Sequence, residues 1–207
     1  MSAPSHLLLA TSNEGKAREL CEILSDLPIS LLTLRDVPHV DPVVEAGSTF
    51  EENASLKAAG YATQTGLLTL ADDSGLEVDA LRGAPGVQSA RYAGGSASDA
   101  ERIQKLLAAL RLVGESERSA RFVSAVVIAN GEGALLNTSV GKCEGRIALS
   151  PRGIGGFGFD PVFVPTGYDL TLAELKPETK NQISHRANAL AKTRAYLQGL
   201  TAALRAG

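Results

Sequence analysis

The feature that most constrains this chain is its opening. A short apolar run from His6 to Thr11 passes almost at once into a segment, Asn13 to Leu27, that carries Ala17, Leu20, Cys21 and Leu24 at helical spacing. The chain therefore begins strand, turn, helix. Ile29 to Leu34 reads as a second strand, followed by an acidic, proline-punctuated loop from Asp36 to Gly47. Ser48 with Glu51 forms a capping box, and Phe50, Ala54, Ala58, Tyr61 and Ala62 mark one face of a helix ending near Gly66. Leu67 to Ala71 returns as a strand and runs into Asp72-Asp73-Ser74-Gly75, which reads as a polar turn. A second capping box, Ser98 with Glu101, opens a helix with Ile103, Leu106, Leu107 and Leu110 facing inward. From Arg121 to Ile147 two long extended segments meet around Gly131-Glu132-Gly133, as in a hairpin on a mixed sheet. Ser150 to Gly158 is too rich in glycine for a regular element. Leu190, Ala191, Leu197, Leu200 and Leu204 predict a long C-terminal helix. The fold expected is α/β.

The 207 residues, 44% of them hydrophobic, suffice for one large domain or two tightly joined lobes. A formal charge of −3 leaves no broad basic face, so tight sequence-independent binding to nucleic acid is not expected. The start lacks the pattern of a secretory leader, and no apolar run approaches the roughly 20 residues that cross a bilayer; the expectation is a cytoplasmic protein without a membrane partner. Cys21 and Cys143 make neither a disulfide framework nor a paired-cysteine metal site. His6, His39 and His185 are too scattered for a zinc site.

Four segments carry candidate chemistry. Thr11-Ser12-Asn13-Glu14-Gly15-Lys16 lies where a strand ends and a helix begins, so free N–H groups and the helix dipole favour an anion, with Lys16 adding a full charge. It is not a P-loop, since Ala17 replaces the hydroxyl that follows the lysine there. Asp72, Asp73 and Ser74, with Glu45 and the Glu51-Glu52 pair upstream, offer the hard oxygens that magnesium prefers, and a carboxylate that can activate water. In Ser150 to Asp160, glycines permit close approach to a flat ligand, Phe157 or Phe159 can stack on a base, and Asp160 can accept from ring N–H groups. Lys180 with Ser184-His185-Arg186 supplies a point charge, a forked guanidinium and an imidazole donor. Taken singly, each segment has a plainer reading: a capped helix with an exposed lysine, an Asx-type turn, a flexible surface loop, a capped helix start with solvated basic neighbours.

Taken together and in order, they resemble the inosine triphosphate pyrophosphatase family, whose members remove non-standard purine nucleotides. The match runs through Thr11, Asn13 and Lys16; Asp72-Asp73-Ser74-Gly75-Leu76; Gly83-Ala84-Pro85-Gly86 with Ser89-Ala90-Arg91-Tyr92; Phe157-Gly158-Phe159-Asp160-Pro161; and Ile183-Ser184-His185-Arg186. The resemblance implies one domain spanning residues 1–207, an elongated α/β fold with a central mixed sheet flanked by helices, two lobes around a nucleotide cleft, and a homodimer. It implies Mg2+-dependent hydrolysis of ITP, dITP and XTP to the monophosphate and pyrophosphate. By the same resemblance Thr11, Ser12, Asn13, Glu14, Gly15 and Lys16 bind the triphosphate and Lys57 approaches it. Asp73 is proton acceptor and metal ligand, and Glu45 is the second metal carboxylate. Ser74, Phe157, Gly158, Phe159, Asp160, Lys180, His185 and Arg186 contact substrate. Phe159 stands where many relatives carry Tyr or Trp, so stacking but no hydrogen bond is expected from it. Two rival readings are a septum-inhibitor-like pyrophosphatase for other modified nucleotides, against which His185-Arg186 argues, and a catalytically silent nucleotide-binding regulator, against which the clustered carboxylates argue.

Overall fold

The computed structural model describes residues 6–37 and 39–206, except for the side chains of 201–206; Pro38 in the acidic loop and the side chain of Leu204 thus lie outside the described residues. The elements run β1 (His6–Leu9), α1 (Glu14–Leu24), β2 (Ser30–Thr33), α2 (Phe50–Thr65), β3 (Thr69–Val78), α3 (Asp99–Ala109), β4 (Ser119–Ala129), β5 (Leu135–Ile147), β6 (Phe163–Pro165), α4 (Pro177–Ile183) and α5 (His185–Ala206). The six strands form one sheet in the order β2-β1-β3-β4-β5-β6. β1 pairs in parallel with β2, Leu7 opposite Leu31, and with β3, Leu9 opposite Leu70; β5 and β6 pair antiparallel, with Ile147 opposite Phe163. The sheet is therefore mixed, and helices flank it, as the alternation of extended and helical segments predicts.

Two compact units emerge. One gathers the chain up to Asp73, Ser124–Gly141 and everything from Arg186 onward; the other gathers Ser74–Val123 and Lys142–His185. The first has its core in Leu7, Leu9, Leu20, Leu24, Leu70, Val126, Ile128 and Leu190. Leu7, Leu8 and Leu9 are all fully buried, so β1 is covered on both faces, which is why it reads as an unbroken apolar run rather than an alternating one. The core of the second unit is built from Leu76, Val78, Ile103, Leu106, Phe122, Ile147, Phe163 and Leu172. There Arg118 is 5% exposed because its guanidinium closes the end of α3, donating to the carbonyls of Leu110 at 2.8 Å and Val113 at 3.1 Å.

Three local expectations are corrected. Asp72-Asp73-Ser74-Gly75 is not a turn: β3 runs straight through it for ten residues. The strand continues because Leu76 and Val78 re-enter a core, and because the Gly83–Ser89 segment braces it. The Ser89 hydroxyl accepts from the N–H of Leu76 at 2.9 Å, and the carbonyl of Ala84 accepts from that of Val78 at 3.2 Å. The seven-residue α4, which begins at Pro177, has too little apolar periodicity to be read from sequence. The capping box of α2 is Thr49 with Glu52, not Ser48 with Glu51, while Gly66 ends the helix in the left-handed conformation at φ 68°. Thr49→Ala should therefore cost about 1 kcal/mol of stability and Ser48→Ala only a few tenths, measured by urea unfolding; equal losses would move the cap back to Ser48.

Candidate active site

In a strand, successive side chains point to opposite faces, so the adjacent aspartates of β3 enter different surroundings. Asp72 is completely buried. Its Oδ1 accepts from the Ser124 hydroxyl on β4, and its Oδ2 faces Lys16 Nζ at 3.0 Å and Arg186 Nη2 at 3.2 Å. Arg186, 1% exposed at the start of α5, also pairs with Glu19 on α1. Burial pushes the Asp72 carboxyl up, but Arg186, Lys16 and Ser124 more than reverse this and hold it well below the ordinary carboxylate range. Burial also lowers the pKa of the Lys16 ammonium, against the pull of Asp72.

Asp73 meets Lys57 of α2. The Lys57 ammonium donates to Asp73 Oδ1 at 3.2 Å, to Glu45 Oε2 at 3.1 Å and to the carbonyl of Asp72 at 2.9 Å, which uses all three of its protons. Asp73 Oδ2 is buried and has no hydrogen-bond partner among the described residues. Burial raises the Asp73 carboxyl above its usual value, and the neighbouring charges of Glu45 and Asp72 add to this against Lys57 and Lys16. An orphaned buried oxygen costs about 1–3 kcal/mol and calls for a ligand, an ion or a water.

Beside this cluster lies the strand-to-helix junction. Asn13 caps α1, its Oδ1 accepting from the N–H of Lys16 at 3.0 Å, while the Thr11 hydroxyl accepts from the N–H of Asn13 at 3.2 Å. Thr11, Ser12, Asn13 and Glu14 line a cavity of about 410 Å³ together with Thr33 and Arg35. A larger concavity, about 910 Å³ and lined by Val43, Leu56, Leu135 and Glu132, is apolar and holds none of the paired charges. The paired charges lie around Asp72 and Asp73, not there.

The second unit holds the aromatic loop. Asp160 Oδ2 accepts from the N–H of Phe157 at 2.9 Å and pairs with the buried Lys180 ammonium, which also sits 4.8 Å from the centre of the Phe157 ring. The N–H of Gly158 donates to Asp99 Oδ2 at 2.7 Å. His185 stacks on Phe122, ring centres 4.7 Å apart and nearly parallel.

Sequence reasoning thus brings Glu45, Lys57 and Asp73 to one place, and Thr11 to Lys16 to another in the same unit. Phe157 to Asp160 meet Lys180 in the second unit, where Ser74 is half-buried. Phe159 is corrected: at 3% exposure, edge-on to Tyr92, it belongs to the core, and Phe157 is the more accessible ring. Lys180, His185 and Arg186 are buried rather than solvated, and the last two open α5 rather than precede it. Asp72, with both oxygens engaged, is no candidate to share a metal. Glu19, Ser124 and Asp99 were missed. Ser124 alone left a signal, as the lone hydroxyl in the apolar run from Phe122 to Ala129. Among the described residues no group of three or more His, Cys, Asp or Glu could hold an ion. Magnesium, however, usually takes only one or two carboxylates, and Glu45 with the half-satisfied Asp73 fits that donor set.

A parallel β-α junction bearing a lysine, next to two buried carboxylates of which one keeps an oxygen without a hydrogen bond, defines an α/β protein equipped to hold and attack a phosphate ester or anhydride. The model of the Ham1 family matches residues 7–196, and the chain belongs to that family. It is 49% identical over 193 residues to the dITP/XTP pyrophosphatase of Geobacter sulfurreducens, covering 93% of this chain and 96% of that one. It is 45% identical over 192 residues to that of Oceanobacillus iheyensis, covering 92% and 97%. A solved HAM1 protein from Coxiella burnetii superposes with a TM-score of 0.85 at 46% identity, covering 94% of this chain and 98% of that one.

The charge cluster generates a prediction. Because the folded Asp72 carboxyl is held below its unfolded value of about 3.9, its contribution to stability is complete above that pH and is lost as pH falls toward the folded value. Asp72→Asn should cost about 3–5 kcal/mol near neutrality, and the gap in melting temperature from the wild type should narrow below about pH 4. A pH-independent gap in calorimetry would contradict the assignment.

Proposed function

We propose that the chain hydrolyses non-standard purine nucleoside triphosphates, dITP, ITP and XTP, to the monophosphate and pyrophosphate. The observation that carries the reading is Asp73, a buried carboxylate with one oxygen on Lys57 and the other without a hydrogen-bond partner among the described residues, close to the Lys16 junction. Its raised affinity for protons suits a general base. Asp73 takes a proton from a water whose oxygen attacks the α-phosphorus; the bond to the bridging oxygen breaks, and pyrophosphate carries away the electron pair. Glu45 and Asp73 are the residues that would hold Mg2+, which when bound supplies charge neutralisation on the phosphate oxygens. The N–H groups at the start of α1, Lys16 and Lys57 orient the polyphosphate, and positioning supplies much of the rate.

For the base we propose the face made by Phe157 and Lys180. Inosine and xanthine present an oxygen at the six-position where adenine presents an amino group, so a donor is required there. The N–H groups of Phe157 and Gly158 are already given to Asp160 and Asp99, so they are not the donors for that task. A donor facing adenine's amino group loses about 1–3 kcal/mol. A cytoplasmic homodimer completes the proposal.

Purified protein with Mg2+ should release pyrophosphate from dITP, ITP and XTP well ahead of ATP and GTP. Single phosphate would redirect attack to the terminal anhydride, and binding without turnover would indicate a nucleotide sensor. Asp73→Asn should lower kcat at least about 100-fold while nucleotide binding persists; unchanged turnover removes Asp73 from its role. Sedimentation should give about twice the chain mass of 21.5 kDa, and a monomer would refute the dimer.

A further inference from the structure

The Lys57 ammonium lies between the two carboxylates that form the metal donor set, one proton on Glu45 Oε2 at 3.1 Å and one on Asp73 Oδ1 at 3.2 Å. Its third proton is on the Asp72 carbonyl at 2.9 Å, and Lys57 is only 8% exposed, so this is a built contact rather than a surface lysine swinging past. A divalent ion held by the same two carboxylates, whether on Asp73 Oδ1 or on the unpartnered Oδ2, would bring a +2 charge next to the ammonium. Like charges so close repel, so each cation weakens the other's hold on the pair.

We infer that Lys57 is a resident cation that competes with the divalent ion for Glu45 and Asp73 and yields them only when polyphosphate oxygens give its ammonium other anionic partners. The inference rests on the hydrolase reading above for the identity of the donor pair, and adds to it a role in deciding when the metal is taken up. Two consequences follow from charge alone. The enzyme without nucleotide binds free divalent ions poorly, so the ion enters with the nucleotide. Removing the ammonium while keeping the length of the side chain leaves two neighbouring carboxylates without their shared counter-charge, which raises metal affinity although it weakens polyphosphate binding. A lysine that served only to contact phosphate would leave metal affinity in the absence of nucleotide unchanged.

The test is a titration of nucleotide-free protein with Mn2+, read by electron paramagnetic resonance of the free ion and repeated calorimetrically with Mg2+. Lys57→Met should bind Mn2+ at least about tenfold more tightly than the wild type, and the gain should vanish in the Lys57→Met, Asp73→Asn double variant. Equal or weaker binding by Lys57→Met overturns the inference. Should that variant fail to fold, 15N-detected side-chain NMR of the wild type decides: the buried ammonium of Lys57 should give a signal that moves to a new chemical shift as diamagnetic Mg2+ saturates the site with tripolyphosphate present, and a shift unchanged from the nucleotide-free protein overturns the inference. Pyrophosphate release by the wild type from dITP is scored separately, so failure of the hydrolase reading is distinguishable from failure of the competition.

Discussion

A carboxylate with no exposed surface in the middle of a ten-residue strand has to be answered by charge from elsewhere, and Asp72 is answered three times. Lys16 comes from the first helix, Ser124 from a strand 52 positions on, and Arg186 from the last helix, 114 positions away. Breaking one such contact leaves an uncompensated charge in the interior, which makes the cluster a demand on the fold rather than a generous source of stability. Lys16 consequently sits where Asp72 holds it, at the helix end that faces any phosphate. A residue with no access to solvent thus sets the position of the lysine at the start of the first helix.

The pleat of β3 then separates the two aspartates by environment. Asp72 faces three donors and is held below the ordinary carboxylate range; Asp73, one residue on and on the other face, has one cation, two carboxylate neighbours and a spare oxygen, and is raised. Neighbouring titratable groups whose environments push them apart are how a site assigns a fixed charge to one and a mobile proton to the other. A turn at Asp72-Asp73 would have pointed both side chains to water and given neither role.

That turn is what the sequence suggests, and the reason is instructive. Asp-Asp-Ser-Gly is composed of residues that favour turns locally, and only tertiary charge pairing keeps it extended. The continuing alternation of Leu76 and Val78 was the visible counter-signal. The start of α3 at Ser98, the stripe from Phe50 to Ala62, the buried run of β1 and the order of the five motifs were legible because each is written in neighbouring residues. The burial of Arg186 and Glu19 was not, since nothing near either residue in sequence announces a partner 167 positions distant. Phe159 misled for a related reason: in a glycine-rich stretch an aromatic looks exposed until the core it enters is known.

The same stretch shows what its glycines are for. At Gly156, with φ 71°, a β-carbon would stand 2.0 Å from Asp160 Oδ2, the oxygen that accepts from Phe157 and pairs with Lys180. At Gly153 and Gly155 it would press on the backbone of Ala173, at 2.5 and 2.9 Å. These glycines do not make a loose loop; they let a carboxylate fold back under its own chain and let two backbones touch. Asp160 Oδ2 is therefore occupied in shaping the loop, and Phe157 is held at one end by that carboxylate and across its face by Lys180. A ring fixed in this way has its orientation set within the protein itself, so a partner that met it would have little left to order.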